Sequence, residues 1–151
     1  MNEAQHTWYM EQCLRLAEAA RQAENLGVGA LVVAAERIVA TGQETLPQTL
    51  DVTGHAEIIA LRGACQTLGT LNLSGCTLYT TAEPCWMCSY AIRETQIRMV
   101  VIGVETTDVG GISTRYPLLV DSSIEGWGAP PDIVTGVLRE ACATLRESSL
   151  A

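Results

Sequence analysis

Two short segments restrict the fold of this chain more than any other feature: His55-Ala56-Glu57 and, well downstream, Pro84-Cys85-Trp86-Met87-Cys88. Thiols three residues apart at the start of a helix can reach one ion, and the exposed N–H groups and positive dipole end there favour anionic sulfur. An imidazole at the start of the preceding helix can approach the same ion from the opposite side. Any fold consistent with that pattern must bring two helix N-termini together around His55, Cys85 and Cys88.

Three protein ligands are what a catalytic zinc takes, with its fourth tetrahedral position left for water that it acidifies toward about pH 7. Glu57 lies two residues beyond the imidazole and is not needed as a ligand. It can therefore face that water and carry protons between it and a leaving amine. A structural zinc would ask for a fourth protein ligand, yet Cys13, Cys65, Cys76, Cys142 and His6 offer no second matched pair. A redox C-x-x-C would explain neither the His-x-Glu nor the proline before the first cysteine.

Apolar periodicity fills in the frame. Met10, Cys13, Leu14, Ala17 and Ala20 recur at helical spacing between Thr7 and Glu24, and Asn25-Leu26-Gly27 ends the pattern. Val28 to Ala35 and Arg37 to Thr41 suit two strands of a tight hairpin across Glu36, followed by a loop from Gly42 to Gly54. The rest of the motif region reads as a helix over residues 55–68, a strand over 76–81, a helix over 85–95 and a nearly continuous apolar strand over 97–104. This alternation predicts βαβ units, with helices covering both faces of a largely parallel sheet. Residues 105–131 are Gly-rich and irregular apart from a short helix expected near Tyr116 to Asp121. A last strand over 132–135 and a terminal helix over 136–147 complete the pattern.

At 151 residues, 48% of them hydrophobic, the chain fits a single domain spanning 1–151 with an ordinary core. The remaining four cysteines read as small buried hydrophobes rather than a disulfide framework. The N-terminus lacks a basic stretch followed by an apolar run, and no segment is long and apolar enough for a membrane span, so a soluble, cytoplasmic protein is expected. Formal charge is −8, and all nine basic residues are arginines scattered from Arg15 to Arg146. Nucleic-acid affinity comes largely from clustered cations that neutralise phosphates, so this balance argues against a nucleic-acid partner and for a small neutral substrate.

The H-x-E and P-C-x-x-C segments resemble the zinc-dependent cytidine deaminase superfamily, in which this pattern is the recognised signature. The likeness extends from Gly27-Val28-Gly29-Ala30 through residues 55–62 and Leu78-Tyr79-Thr80-Thr81-Ala82-Glu83-Pro84-Cys85 to Val104, and is looser beyond. It is similar to the branch holding tRNA adenosine deaminase, guanine deaminase and fungal-type cytosine deaminase. The resemblance implies a three-layer α/β/α fold with a five-stranded mixed sheet, one Zn²⁺ per subunit, and a homodimer or larger assembly. It also implies that the Ala56 backbone N–H and the backbone around Glu83 hold the substrate ring; the Glu83 side chain is equally open to a structural role.

Two departures from the tRNA enzymes bear on the substrate. Where they resemble G-x-N, this chain has Gly42-Gln43-Glu44, and an ionised Glu44 accepts hydrogen bonds where Asn could donate. Glu44 then suits a donor-rich edge such as that of guanine, or ribose hydroxyls, unless the loop shifts and leaves it in solvent. Asp108-Val109-Gly110-Gly111 lacks the Lys of the corresponding loop. Trp127 is either a lid aromatic over a flat ring or a packing residue. These residues predict a hydrolytic deaminase of a free nucleobase, guanine before cytosine. The alternatives are a nucleoside deaminase or tRNA adenosine deaminase and, outside catalysis, a zinc-stabilised binding module.

Overall fold

The computed structural model describes residues 1–150, with side chains described as far as Glu147; Ala151, the end of the expected single domain, lies outside the described residues. The chain runs α1 (Glu3–Gln22), β1 (Gly29–Ala34), β2 (Arg37–Gln43), α2 (Leu46–Thr49), α3 (Ala56–Leu68), β3 (Cys76–Ala82), α4 (Trp86–Glu94), β4 (Met99–Val104), β5 (Asp132–Val134) and α5 (Arg139–Leu150). No helix among the described residues is long and apolar enough to cross a membrane.

Five strands form one sheet in the order β2-β1-β3-β4-β5. β1 pairs antiparallel with β2 and with β3, whereas β3–β4 and β4–β5 are parallel. The sheet is thus mixed, as the family resemblance implies, and the largely parallel arrangement read from the apolar runs alone is corrected. An apolar strand reports burial on both faces and says nothing of its neighbours' direction. The β3-α4-β4 crossover is the βαβ unit expected; the β1-β2 hairpin turns the chain round before it.

Side-chain alternation divides the core into two layers. Leu31, Val33, Tyr79 and Val101 face α1 and α5, where they pack with Tyr9, Met10, Cys13 and Cys142. Ala30, Val32, Leu78, Val100 and Ile102 face the other way, onto Ala56, Ala60 and Ala64 of α3 and Ile92 of α4. The result is a three-layer α/β/α fold in which α3 and α4 share one side, with both N-termini at the same end of the sheet.

The stretch from Glu105 to Pro131 contains no helix at Tyr116–Asp121, only turns. The buried Arg93 guanidinium organises it, donating to the carbonyls of Leu118, Leu119, Asp121 and Gly128. Leu119, fully buried, anchors the same turn in the core. A side chain from α4 therefore supplies the donors that a helix would have supplied from its own backbone.

Candidate active site

His55 is the N-cap of α3 and Glu57 lies in its first turn. The helix sits so close to β2 that a Cβ on Gly42 would stand 2.1 Å from the Ala56 carbonyl oxygen, which only glycine tolerates. That approach carries Glu44, just beyond the strand, to the end of α3. His55 supplies no side-chain cap of its own. Instead, the Glu44 carboxyl accepts the Ala56 backbone N–H, and with 5% exposure it is buried in the pocket rather than turned to solvent. Burial, helped by the nearby Glu57 carboxyl, pushes Glu44 up to about 7, against the opposing pull of His55 and the Ala56 N–H.

Cys85 is the N-cap of α4, and Cys88 lies in its first turn. Each Sγ is 3.5 Å from His55 Nδ1, and the three donor atoms lie within 4.8 Å of one another. Tetrahedral zinc with Zn–S of about 2.3 Å and Zn–N of about 2.0–2.1 Å separates N and S donors by about 3.5 Å, so the spacing and the donor types both fit that ion. The metal-free electrostatics agree. The Cys88 thiol beside it, and then His55, hold Cys85 down at about 4 despite its burial. The same pairing, together with burial, pushes Cys88 far up. His55 is raised to about 9, chiefly by its hydrogen bond with Cys85 and against burial. Metal loading would displace the protons these groups share.

Glu57 is not one of the three converging donors. It is 4% exposed, with Oε1 at 3.1 Å from Thr80 Oγ1 and Oε2 at 3.7 Å from Cys88 Sγ. Burial raises its pKa, with the Cys85 charge adding to the effect and His55 opposing it. A carboxyl so placed is protonated more readily than one in water, as a group that must both take and return a proton requires.

These residues border a cavity of about 420 Å³, within the usual range for small-molecule sites. Leu26, Val28, Leu46, Pro47 and Val109 form apolar walls; Glu44, Glu57, Glu83 and Asp108 bring carboxyls, and Arg146 reaches the same cavity from α5. Glu83 faces its own loop: Oε2 accepts from the backbone N–H groups of Ile112 and Ser113 at 3.0 and 3.1 Å and from Ser113 Oγ at 3.0 Å. A Cβ on Gly110 would fall 1.8 Å from that oxygen. The 106–113 loop is bound to the metal-binding segment as well, through Trp86 N to Val109 O and Gly111 N to Pro84 O.

Of the two roles open to Trp127, lid or packing, its position in the structure matches packing. Its Nε1 donates to Glu94 Oε1 at 2.7 Å, and its ring packs against Tyr90 and under Arg93, away from the cavity lining. The sequence did not single out Leu46, Pro47, Asp108 or Arg146 for this cavity, nor Thr80 behind Glu57. For Arg146 no local signal exists, since it lies on a helix that only the sheet order brings to the site.

Residues 3–104 match the cytidine and deoxycytidylate deaminase zinc-binding region. The chain belongs to this deaminase family. One relative, the tRNA(Ile)-lysidine synthase of Deinococcus radiodurans, is 40% identical over 91% of this chain, although the chain spans only 23% of that protein. A tRNA-specific adenosine deaminase of Aquifex aeolicus is 32% identical over 78% of each chain. Among solved structures, one from work on tRNA:A34 deaminases superposes with a TM-score of 0.85 at 32% identity, covering 92% of this chain and 99% of that one. A guanine deaminase from Nitrosomonas europaea gives 0.73 at 27%, covering 96% and 85%.

These relatives correct the expectation against a nucleic-acid partner. Net charge averages the whole surface, whereas contacts to a nucleic-acid backbone depend on the few cations that line the path to the site. The assignment to this zinc-binding family stands, and His55, Cys85 and Cys88 fit its metal.

Proposed function

We propose that this chain is a hydrolytic deaminase acting on adenosine within a tRNA loop, converting the exocyclic amine to a carbonyl with release of ammonia. The observation that supports this most is the two-way coverage: a protein named as a tRNA-specific adenosine deaminase matches 78% of both chains at 32% identity. When bound, zinc supplies Lewis acidity and a water that ionises near neutral pH. Glu57 takes the proton of the attacking water and returns it to the departing amine. Thr80 holds the Glu57 carboxyl in place. Leu26, Val28, Leu46 and Pro47 provide an apolar slot for the flat ring and reduce the water around it. A homodimer or larger assembly in a cytoplasmic setting belongs to the same proposal, and exposed Trp86 and Tyr116, ring against ring, with exposed Tyr90 one turn along α4 from Trp86, support a covered face.

A second reading, deamination of free guanine, is favoured by Glu44. A buried carboxylate at the cavity wall complements the adjacent N–H and amino donors of guanine better than the acceptor edge of adenine. Zinc-loaded protein incubated with an anticodon stem-loop RNA carrying adenosine, and separately with guanine, distinguishes the two. Inosine in the RNA with stoichiometric ammonia supports the first; ammonia from guanine with unaltered RNA overturns it in favour of the second.

A further inference from the structure

Arg146 is the one arginine among the residues lining the active-site cavity, which it shares with four carboxyl-bearing side chains. Its position is set by backbone. Nη1 donates to the Glu105 carbonyl oxygen at 3.5 Å, at the corner where β4 leaves the sheet. Seven residues earlier on the same helix, Arg139 takes the Glu105 carboxylate as its partner. The two arginines thus clasp one residue in different ways, one by its charge and one by its carbonyl. Arg21–Glu18 and Arg139–Glu105 are the ion pairs among the described residues, and none of the carboxylates described there pairs with Arg146.

A half-buried guanidinium anchored through one N–H to a neutral carbonyl keeps its charge and its remaining donors for something else. A free base has no use for it, since purine rings are neutral and the acceptors they present can be met by neutral groups. A nucleotide held in a polymer does: when the base enters a pocket, its flanking phosphates are left at the mouth, where the planar fork of arginine matches phosphate oxygens bidentately. In a pocket this acidic, phosphate would be repelled without that cation.

We propose that Arg146 is a specificity-determining residue that binds a phosphate flanking the reacting nucleotide, and so selects a base presented by RNA over the same base free in solution. The inference rests on the tRNA reading above and deepens it.

The test is a binding cycle that does not depend on turnover. Zinc-loaded Glu57→Ala protein, with and without Arg146→Ala, is titrated with a fluorescent anticodon stem-loop RNA over a series of potassium chloride concentrations. The same titration uses a hairpin whose two linkages flanking the target adenosine are neutral methylphosphonates. Removing Arg146 should weaken binding of the natural hairpin about tenfold and reduce the slope of log K against log salt by about 0.7–0.9. The neutral linkages should weaken the parent but leave the Arg146→Ala protein unaffected, and Arg146→Lys should recover part of the loss. Equal effects of the neutral linkages on both proteins, an unchanged affinity, or no RNA binding by the parent would overturn the inference. Zinc content and thermal midpoint show whether Arg146→Ala is folded, and Arg146→Gln carries the same comparison if it is not. An intact binding cycle without inosine formation by the wild type would sink the deamination reading alone; inosine formation with a flat cycle would sink the role of Arg146 alone.

Discussion

Thr80 Oγ1 lies 3.1 Å from Glu57 Oε1 and 2.9 Å from the Ala82 carbonyl oxygen, in a spot with no solvent exposure. A hydroxyl has one hydrogen, so it donates to Glu57 when that carboxyl is ionised, and otherwise donates to Ala82 while accepting from the protonated acid. Glu57 therefore keeps a partner in both of its states. Thr80→Val should retain zinc and lower kcat by about tenfold, and Glu57→Ala should retain zinc and lower it by about 10²–10⁴-fold. Metal analysis beside initial rates checks both; more than a tenth of wild-type kcat in Glu57→Ala would remove it from the proton transfer.

Chelation should destabilise the chain reversibly. The two ligand-bearing helix ends, at His55 and Cys85–Cys88, would be held together by a bound metal, and an ion that needs all three ligands binds the folded state in preference to the unfolded one. Thermal melts with a chelator, then with zinc restored, should show a lowered and then recovered midpoint. Cys88→Ala should melt low in both conditions; a full zinc-dependent rise in that variant would refute its assignment as a ligand.

Glu44 gives a pH signature in the metal-free protein. Its carboxyl is raised in the fold from the ordinary 4.5 to about 7, so the folded state holds a proton that the unfolded chain has released between those values. The folded state binding more protons means that this contribution to stability falls as pH rises from about 4.5 through about 7. Glu44→Gln should lack that part of the decline while still offering an oxygen to the Ala56 N–H. Denaturant midpoints of both proteins across this range decide it; parallel curves would show that Glu44 titrates normally. In the zinc-loaded protein, a changed preference between RNA and guanine would tie Glu44 to recognition.

Glu83 should prove structural. One oxygen satisfies two backbone N–H groups and a hydroxyl of the loop that flanks Cys85. Glu83→Ala leaves those donors without their acceptor, at about 1–3 kcal/mol for a buried unsatisfied group. Gly110→Ala should produce a similar loss, because its Cβ would occupy the place of that oxygen. Chemical denaturation measures both; wild-type stability in either would contradict the clamp.

Trp127→Ala should leave kcat/KM within about threefold of wild type while lowering the thermal midpoint, because its indole serves Glu94, Tyr90 and Arg93 rather than the cavity. A tenfold fall in kcat/KM with the midpoint unchanged would return it to the site.

The chemistry was legible in the sequence because metal ligation is local. The Cys85–Cys88 spacing and the position of His55 are set by single helix starts, and the residue types alone specify the ion. The layers were legible too, since apolar periodicity marks which residues must leave water. Strand direction was not, because β1 is buried on both faces whether its neighbours run with it or against it. Nor was the pocket wall. Glu44 reaches the Ala56 N–H because Gly42 lets β2 lie against α3, and Trp127 leaves the site because Glu94 and Arg93 claim it. Arg146 enters the cavity only through the docking of α5 at Glu105. Residues close in sequence determined which ion the site can hold. Which groups surround the substrate depended on contacts between distant segments, and packing of the whole sheet decided those.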